Sequence, residues 1–330
     1  MMAEIVRTAG IDCGTNSLRL LIADVDLATK RLTDVSRQMD VVRLGQGVDR
    51  SGWFAAEALT RTLEATRHYA QLCTEAGVVH LRFVATSATR DAANRNVFLD
   101  GVRRALGIEP EVIDGLEEAH LSFCGALSGL KNPSDGPCLC VDLGGGSTEL
   151  VLGTGRAEFA YSMDVGCVRL TERHLKSDPP TPAELRAAIE DVDRLLEDAS
   201  RHVPMSRATM LIGLGGSITT ITAHALGLER YQPEVIDGTR LALDRMLRAC
   251  QELWQATRAA RSRLGYMHPG RVDVIGAGAL VWSRVLEAAR RQTAAVGQAL
   301  KTVVTSEHDI LDGIALSALD RPAWPARRTA

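Results

Sequence analysis

The first half of the chain alternates short apolar segments with longer stretches in which apolar residues recur at helical spacing. Apolar runs bounded by turn residues predict strands, and recurrence every three to four residues predicts helices. We expect strands at residues 5–13, 18–26, 34–44, 78–85 and 111–113. We expect helices at residues 55–75, 96–106 and 117–127. Strands that alternate with helices in this way predict a layered α/β domain.

The pattern restarts after a turn-rich segment at residues 130–137, which contains Asn132-Pro-Ser-Asp-Gly-Pro137. Clusters of Gly and Pro mark connections between elements. Beyond this segment, strands are expected at residues 138–143, 147–153, 159–165, 209–213 and 302–306. Helices are expected at residues 182–202, 239–263, 272–291 and 309–319, and a further helix near residue 218. The restart predicts a second α/β domain.

One short motif occurs twice, each time between two apolar strands. Asp12-Cys-Gly-Thr-Asn-Ser17 and Asp142-Leu-Gly-Gly-Gly-Ser147 share the pattern Asp-x-Gly-x-x-Ser and lie 130 positions apart. Two copies in matched contexts indicate an internal duplication. We therefore expect two similar domains, each with a hairpin loop that faces phosphate.

The second copy of the motif has the composition of a phosphate-binding loop. Its residues after the aspartate and leucine are Gly144, Gly145, Gly146 and Ser147. Glycine lets the backbone approach a ligand closely, and the N–H groups of such a turn form a concavity that accepts phosphate oxygens. An ordinary hairpin turn is the alternative interpretation, but three consecutive glycines exceed what a hairpin requires.

Asp12 and Asp142 each end an apolar strand at the start of one of these loops. A carboxylate in this position can hold Mg²⁺ directly or through water, as phosphoryl-transfer enzymes require. The alternative is that each side chain caps its own turn. Both aspartates are therefore candidate metal ligands.

A third glycine-rich turn follows the predicted strand at residues 209–213. Its residues Gly215, Gly216 and Ser217 precede a predicted helix. The N-terminus of a helix after glycines is a prepared anion site, so a phosphate or nucleotide could bind here. The turn lacks the sixth-position glycine of a dinucleotide-binding loop and the lysine of a P-loop.

Two further positions carry charge next to predicted strands. Arg90 follows the strand at residues 78–85, where an arginine can clamp a phosphate or make a surface salt bridge. Glu117 and Glu118 begin a predicted helix, where acidic residues usually interact favourably with the helix dipole. A catalytic role for one of these carboxylates is the alternative.

Composition narrows the class of protein. The chain has 330 residues, enough for two domains, and a net charge of −3, which predicts no nucleic-acid partner. No apolar run approaches the length of a membrane span, and the first ten residues lack the pattern of a signal peptide. The seven cysteines show no metal-binding spacing. We therefore expect a cytoplasmic protein without a membrane partner.

Taken together, the motifs resemble the exopolyphosphatase/guanosine-pentaphosphate phosphohydrolase (Ppx/GppA) family over about residues 9–315. The most specific similarity is Val141-Asp-Leu-Gly-Gly-Gly-Ser-Thr-Glu-Leu150. The other segments that occur in family order are Ile11-Asp-Cys-Gly-Thr-Asn-Ser17, Ala85-Thr-Ser-Ala-Thr-Arg-Asp91, Gly115-Leu-Glu-Glu-Ala119, Gly166-Cys-Val-Arg-Leu170, residues 213–217 and Val274-Ile-Gly-Ala-Gly278.

The resemblance implies a fold of two actin/hexokinase/Hsp70-like (ribonuclease H-like) domains with a cleft between them. Domain I would comprise residues 1–130 and 306–330, so that the last helix returns to it. Domain II would comprise residues 131–305. Long family members carry a further helical, HD-type domain, and this chain ends at Ala330, so we expect a short form. The resemblance also implies a homodimer.

The resemblance assigns roles residue by residue. Glu118 would be the general base, and Glu149 would hold the metal or position the attacking water. Asp142 would lie at a site for Mg²⁺ or Mn²⁺. The residues that the resemblance implies for phosphate are Asn16, Ser17, Arg90, Gly144, Gly145, Gly146 and Ser147. Asp12 as a metal ligand, and Gly215, Gly216 and Ser217 as phosphate-binding residues, remain candidates from their own sequence contexts.

The activity that these assignments predict is an exopolyphosphatase, which releases orthophosphate from the ends of inorganic polyphosphate. The same groups would serve a 5′-phosphohydrolase of guanosine pentaphosphate, and the sequence does not separate the two. A kinase or ATPase of the same superfold is a third hypothesis. A catalytically inactive sensor of the stringent response that binds guanosine tetraphosphate is a fourth.

Overall fold

The computed structural model describes residues 4–129 and 136–325. The chain forms two compact units. Unit 1 combines the residues up to Ser128 with those from Ile310 onward, and unit 2 is Gly129–Asp309. Most of the predicted turn-rich segment, and with it the predicted domain boundary at residue 130, lies outside the described residues. The predicted domain limits therefore stay a prediction.

Strands and helices alternate along the described chain. The strands are β1 (Ile5–Cys13), β2 (Leu18–Asp26), β3 (Leu32–Asp40), β4 (His80–Ala85), β5 (Glu111–Val112), β6 (Cys138–Leu143), β7 (Thr148–Gly153), β8 (Ala157–Met163), β9 (Met210–Leu214), β10 (Arg240–Ala242) and β11 (Thr302–Thr305). The helices are α1 (Val48–Ser51), α2 (Ala56–Glu75), α3 (Ser87–Asp91), α4 (Arg95–Leu106), α5 (Gly115–Gly129), α6 (Cys167–His174), α7 (Pro182–His202), α8 (Gly216–Leu226), α9 (Pro233–Ile236), α10 (Leu243–Gln255), α11 (Arg258–Arg261), α12 (Ile275–Ala295) and α13 (Ile310–Ser317).

Unit 1 has a five-stranded sheet with the order β3-β2-β1-β4-β5. The pairs β1–β2 and β2–β3 are antiparallel, and β4 pairs in parallel with both β1 and β5. Side chains alternate across a strand, so both faces of the sheet must be covered. Leu20 and Ile22 of β2 belong to the core that includes α2 and α4, whereas Leu21 and Ala23 pack with α13.

Unit 2 has a six-stranded sheet with the order β10-β11-β9-β6-β7-β8. Its strands β8, β7, β6, β9 and β11 repeat the order and the directions of the unit 1 sheet, and β10 is an additional edge strand. A large aliphatic core surrounds Trp282 of α12, which is fully buried. The repeated order confirms the internal duplication and the α/β class that the sequence predicts.

The expected helix at residues 239–263 is wrong. Residues 240–242 instead form β10, because Leu241 pairs with Val303 of β11. The helix that follows stops at Gln255, and a separate short helix begins after Thr257, whose side-chain oxygen accepts a hydrogen bond from the N–H of Ala260 at 3.1 Å. Tertiary pairing and a local N-cap therefore overrode a continuous helical pattern.

Other differences concern element ends and short helices. The third strand ends at Asp40. Arg43, whose φ of 50° lies in the left-handed region, leads the chain back to the first loop. The pattern also missed α1, α3, α6 and α9, which have four to eight residues each.

Among the helices that the structure describes, none is long and apolar enough to cross a membrane.

Candidate functional site

The two Asp-x-Gly-x-x-Ser loops adopt the same turn. In unit 1 the N–H of Gly14 donates to the carbonyl oxygen of Ser17 at 3.0 Å. In unit 2 the N–H of Gly144 donates to the carbonyl oxygen of Ser147, also at 3.0 Å. Each loop connects the first two strands of its sheet, β1 to β2 and β6 to β7. The duplicated motif is therefore a duplicated hairpin loop.

In unit 1, Asp12 is buried and forms an ion pair with Arg19. The Nε and Nη2 atoms of Arg19 donate to Oδ2 of Asp12 at 2.9 and 2.6 Å. The two residues face each other in the β1–β2 ladder, so the predicted hairpin register could have revealed the pair. Because the guanidinium already balances the carboxylate, a metal at Asp12 stays a prediction.

The loop that carries Asn16 and Ser17 is held from the next segment of unit 1. The N–H of Arg43 donates to the carbonyl oxygen of Asn16 at 2.8 Å, and the N–H of Gly45 donates to that of Thr15 at 2.8 Å. The hydroxyl groups of Thr15 and Ser87 lie 3.0 Å apart. These contacts fix the backbone of the loop beside the N-terminus of α3.

The structure brings Arg90 and Glu118 together in unit 1. Nη1 of Arg90 donates to Oε2 of Glu118 at 2.8 Å and to the carbonyl oxygen of Ile113 at 2.9 Å. Glu118 lies in the first turn of α5 and is only 7% exposed. A buried carboxylate held by an arginine has a fixed orientation.

The neighbouring Glu117 points elsewhere. Its carboxylate pairs with Arg82 and is 44% exposed. The helix start is capped instead by Asp114, whose Oδ1 accepts the N–H groups of Leu116 and Glu117 at 3.0 and 2.9 Å. Glu118 is therefore not needed as a cap, which separates it from the ordinary role of acidic residues at helix starts.

In unit 2, Asp142 and Glu149 lie directly opposite each other in the β6–β7 ladder. Residues paired in this way project from the same face of the sheet as close neighbours. Both are buried, with 9% and 1% exposure, and Oγ of Ser162 donates to Oε1 of Glu149 at 2.7 Å. Two carboxylates side by side repel each other unless a cation compensates their charge.

This pair fits the donor set of Mg²⁺. The ion is usually bound by one or two carboxylates, together with water and substrate phosphates. Within residues 4–129 and 136–325, no group of three or more His, Cys, Asp or Glu side chains could hold a metal. An all-protein cage is thus absent from the described part, whereas the pair suits an ion that shares its ligands with phosphate.

The glycine-rich loop of unit 2 is held through its carbonyl groups by α6. The carbonyl oxygen of Gly144 accepts the N–H of Cys167 at 3.0 Å, and that of Gly145 accepts the N–H groups of Val168 and Arg169 at 2.8 and 3.1 Å. Nε of Arg169 donates to the carbonyl oxygen of Gly146 at 2.8 Å.

This arrangement orients the N–H groups of the loop. In a trans peptide the N–H points opposite to the preceding carbonyl. The N–H groups of Gly145, Gly146 and Ser147 therefore point away from α6, on one side of the loop. Successive N–H groups in a turn form an anion-binding concavity. The sequence did not reveal the role of α6, because its contacts with the loop are tertiary.

The third glycine-rich turn lies against Asp142. Gly215 has φ of 89°, and a Cβ atom there would lie 2.9 Å from Oδ1 of Asp142. A Cβ on Gly216 would lie 2.1 Å from Nη2 of Arg271, and Ser217, the second residue of α8, is buried. The structure thus places Asp142, this turn and Arg271 together in unit 2.

Arg271 and Glu307 are two charged residues of this region that the sequence did not single out. Nη1 of Arg271 donates to Oγ1 of Thr220 in α8 at 3.2 Å. Glu307 follows β11, and its Oε1 accepts the hydroxyl of Tyr231 at 2.6 Å. Burial, with the nearby Asp309 and Asp237, raises the pKa of Glu307 to about 7, against the effects of Tyr231 and Arg271. Neither residue belongs to a local motif that could have identified it.

Two ribonuclease H-like units with the same strand order define the actin/hexokinase/Hsp70 class of folds. The sequence also matches the model of the Ppx/GppA phosphatase family over residues 21–307. The chain therefore belongs to the Ppx/GppA phosphatase family, which confirms the resemblance.

Individual relatives agree with this assignment. Exopolyphosphatase 2 of Mycobacterium tuberculosis H37Rv is 50% identical over 322 residues, 95% of this chain and 98% of that protein. A crystal structure of an exopolyphosphatase-like protein is 47% identical with a TM-score of 0.91, and the match covers 95% of this chain and 98% of that one. The Aquifex aeolicus member of the family is 28% identical with a TM-score of 0.77, over 96% and 98% of the two chains.

Proposed function

We propose that this chain is an exopolyphosphatase that hydrolyses the terminal phosphoanhydride bond of inorganic polyphosphate. The observation that carries the proposal is the buried Glu118 carboxylate held by Arg90 at 2.8 Å. The names of the relatives that share half of the sequence favour polyphosphate over guanosine pentaphosphate as the substrate.

Glu118 acts as the general base in this mechanism. A water oxygen attacks the terminal phosphorus, its proton passes to the carboxylate of Glu118, and the bond to the bridging oxygen breaks. The products are orthophosphate and a polymer shorter by one phosphate. Arg90 is a positioning residue for Glu118 and a candidate ligand of the phosphate chain, since a guanidinium carries five N–H donors.

The phosphate oxygens bind the glycine-rich loops. In unit 1, Asn16 and Ser17 bind phosphate oxygens. In unit 2 the N–H groups of Gly145, Gly146 and Ser147 form one anion site with Gly144, and the turn at Gly215, Gly216 and Ser217 adds the N-terminus of α8.

Asp142 and Glu149 would hold Mg²⁺ or Mn²⁺ in unit 2, and Asp12 stays a candidate metal ligand of unit 1. When bound, the cation would neutralise negative charge on the phosphate group that is released. The two carboxylates lie opposite each other at the second pair of the β6–β7 ladder from the loop, after the pair Leu143 and Thr148. The predicted homodimer and the predicted cytoplasmic location stay predictions.

A substrate panel tests this proposal. Purified protein is given polyphosphate, guanosine pentaphosphate or ATP in one buffer, and orthophosphate is measured during a titration with Mg²⁺ or Mn²⁺. We expect release from polyphosphate that depends on the cation and stops on chelation. Release from guanosine pentaphosphate or ATP without release from polyphosphate would contradict the proposal.

A further inference from the structure

A groove of about 910 Å³ lies between α2 and α4 in unit 1. Its apolar walls include Leu63 of α2, Gly101 of α4 and Trp324 from the segment after α13. Its charged lining residues are Arg67 and Glu75 of α2 and Arg104 of α4. Pockets of several hundred Å³ with apolar walls and a few charged groups are typical of small-molecule sites.

The groove is held open by packing contacts. A Cβ on Gly101 would lie 2.5 Å from Cδ2 of Leu63, so the two helices approach closely there because residue 101 is glycine. Trp324 is fixed at both ends: its Nε1 donates to the carbonyl oxygen of Leu106 at 2.8 Å, and its backbone N–H donates to that of Val79 at 2.7 Å. The apolar wall is therefore preformed.

The charge of the groove favours an anion. Arg67 and Arg104 are exposed, and within the described residues neither makes a hydrogen bond or an ion pair to another side chain. Arg103, the neighbour of Arg104, is by contrast paired with Asp100 and Glu109. Two arginines against Glu75 leave one net positive charge, and a guanidinium binds phosphate oxygens through two parallel N–H groups.

The groove is separate from the phosphate loop of unit 1. Its charged residues Arg67, Glu75 and Arg104 lie in the C-terminal halves of α2 and α4, and these helices lead to the starts of β4 and β5. Arg90 and the loop at residues 14–17 follow the carboxyl ends of β4 and β1, at the opposite ends of the strands of the same sheet. A ligand in the groove would therefore leave that loop accessible.

We propose that this groove is a second binding site, for a small molecule that carries both an aromatic ring and a phosphate group, as a nucleoside monophosphate does. The ring lies against the apolar wall at Leu63 and Trp324, and the phosphate binds Arg67 and Arg104. The proposal does not depend on the hydrolase activity.

Fluorine NMR tests the proposal at the site itself. The chain has four tryptophans, so protein labelled with 5-fluorotryptophan gives a small set of signals, and Trp324→Phe identifies the one from residue 324. Adenosine monophosphate should shift the Trp324 signal in a saturable way. Adenosine, which lacks the charge, and ribose 5-phosphate, which lacks the ring, should bind at least tenfold more weakly.

Two arginine variants from the same helix turn provide the matched comparison. Arg104→Ala should weaken the binding of adenosine monophosphate about tenfold, whereas Arg103→Ala, which removes the same charge outside the groove, should leave it within twofold. No shift of the Trp324 signal at millimolar nucleotide would overturn the proposal. Equal weakening by both variants, or equal binding of adenosine, would also overturn it.

Discussion

Arg90 and Glu118 are 28 positions apart in the chain, yet Nη1 of the arginine donates to Oε2 of the glutamate at 2.8 Å. The same Nη1 donates to the carbonyl oxygen of Ile113, in the segment that leads into α5. The arginine therefore fixes the carboxylate relative to the start of its own helix.

Replacing Arg90 by lysine should lower the turnover number. Lysine keeps the charge but loses the planar guanidinium, so the Glu118 carboxylate is held less rigidly, and we expect a decrease of about 10- to 100-fold. Orthophosphate release from polyphosphate measures it. Arg95→Lys is the control, since Arg95 is exposed and its Nη1 donates to the backbone carbonyl oxygen of Arg90 at 3.4 Å. Equal rates in the two variants would contradict the role of Arg90.

The close approach of Gly215 to Asp142 predicts a specific effect of a methyl group. Gly215→Ala forces an L-residue into a strained backbone conformation and places its Cβ 2.9 Å from the Asp142 carboxylate. We expect a loss of stability of about 1–3 kcal/mol together with a loss of activity. Urea unfolding and phosphate release are measured together.

Gly227→Ala is the control for this change. Gly227 also has positive φ, 73°, but a Cβ there meets nothing within 4 Å. Gly227→Ala should lower the free energy of unfolding by about 1 kcal/mol and leave the activity of the folded protein unchanged. If Gly215→Ala behaved in the same way, the contact with Asp142 would have no functional consequence.

A metal site at Asp142 and Glu149 predicts a shift in the metal requirement. Asp142→Asn removes one charged ligand, so half-maximal activity should require at least about tenfold more Mg²⁺. Calorimetric titration of Mg²⁺ without substrate provides a second readout. Asp244→Asn changes a carboxylate that is 75% exposed and should have no effect. An unchanged Mg²⁺ requirement in Asp142→Asn would place the metal elsewhere.

The raised pKa of Glu307 predicts a pH-dependent stability. Burial raises it from 4.5 to about 7, so the folded state binds more protons than the unfolded state between these values. The stabilising effect of the protonated form is complete below pH 4.5 and is lost as the pH rises to about 7. The loss of stability should be at most about 3–4 kcal/mol, since each unit of pKa shift corresponds to about 1.4 kcal/mol.

Glu307→Gln should remove this component. Urea midpoints from pH 5 to pH 8 should fall less steeply in the variant than in the wild type. Glu234→Gln, at an exposed position of α9, should keep the wild-type profile. The value of about 7 already includes the effects of Asp237, Asp309, Arg271 and Tyr231. An identical slope in Glu307→Gln would therefore contradict the raised pKa of Glu307.

Sequence patterns predicted those elements that depend on interactions between residues close together in the chain. The strands on either side of both loops were correct because apolar strands and a glycine turn lie next to each other in the chain. The helix Pro182–His202 was correct because Thr181 and Glu184 form a capping box and Pro182 starts the helix. The duplicated motif also predicted the duplicated sheet.

Contacts between distant segments were not predictable. β10 exists because Leu241 pairs with Val303, and a helical pattern in the sequence gives no sign of that partner. Arg271 reaches the third turn from a segment 55 positions after Gly216, and α6 holds the glycine loop through backbone groups that any sequence carries. The sequence motifs predicted the loops, but only the packed structure shows which side chains surround them.

The central claim is that Glu118 is the catalytic base, and its neighbour Glu117 offers a matched control. Glu118→Gln keeps the size and the helix but removes the proton acceptor, whereas Glu117→Gln changes a carboxylate that pairs with Arg82 and is 44% exposed. The direct measurement is the rate of orthophosphate release from polyphosphate by both variants at saturating Mg²⁺. Our account predicts a decrease of about 10²- to 10⁴-fold in Glu118→Gln and a nearly unchanged rate in Glu117→Gln. A wild-type rate in Glu118→Gln would contradict it.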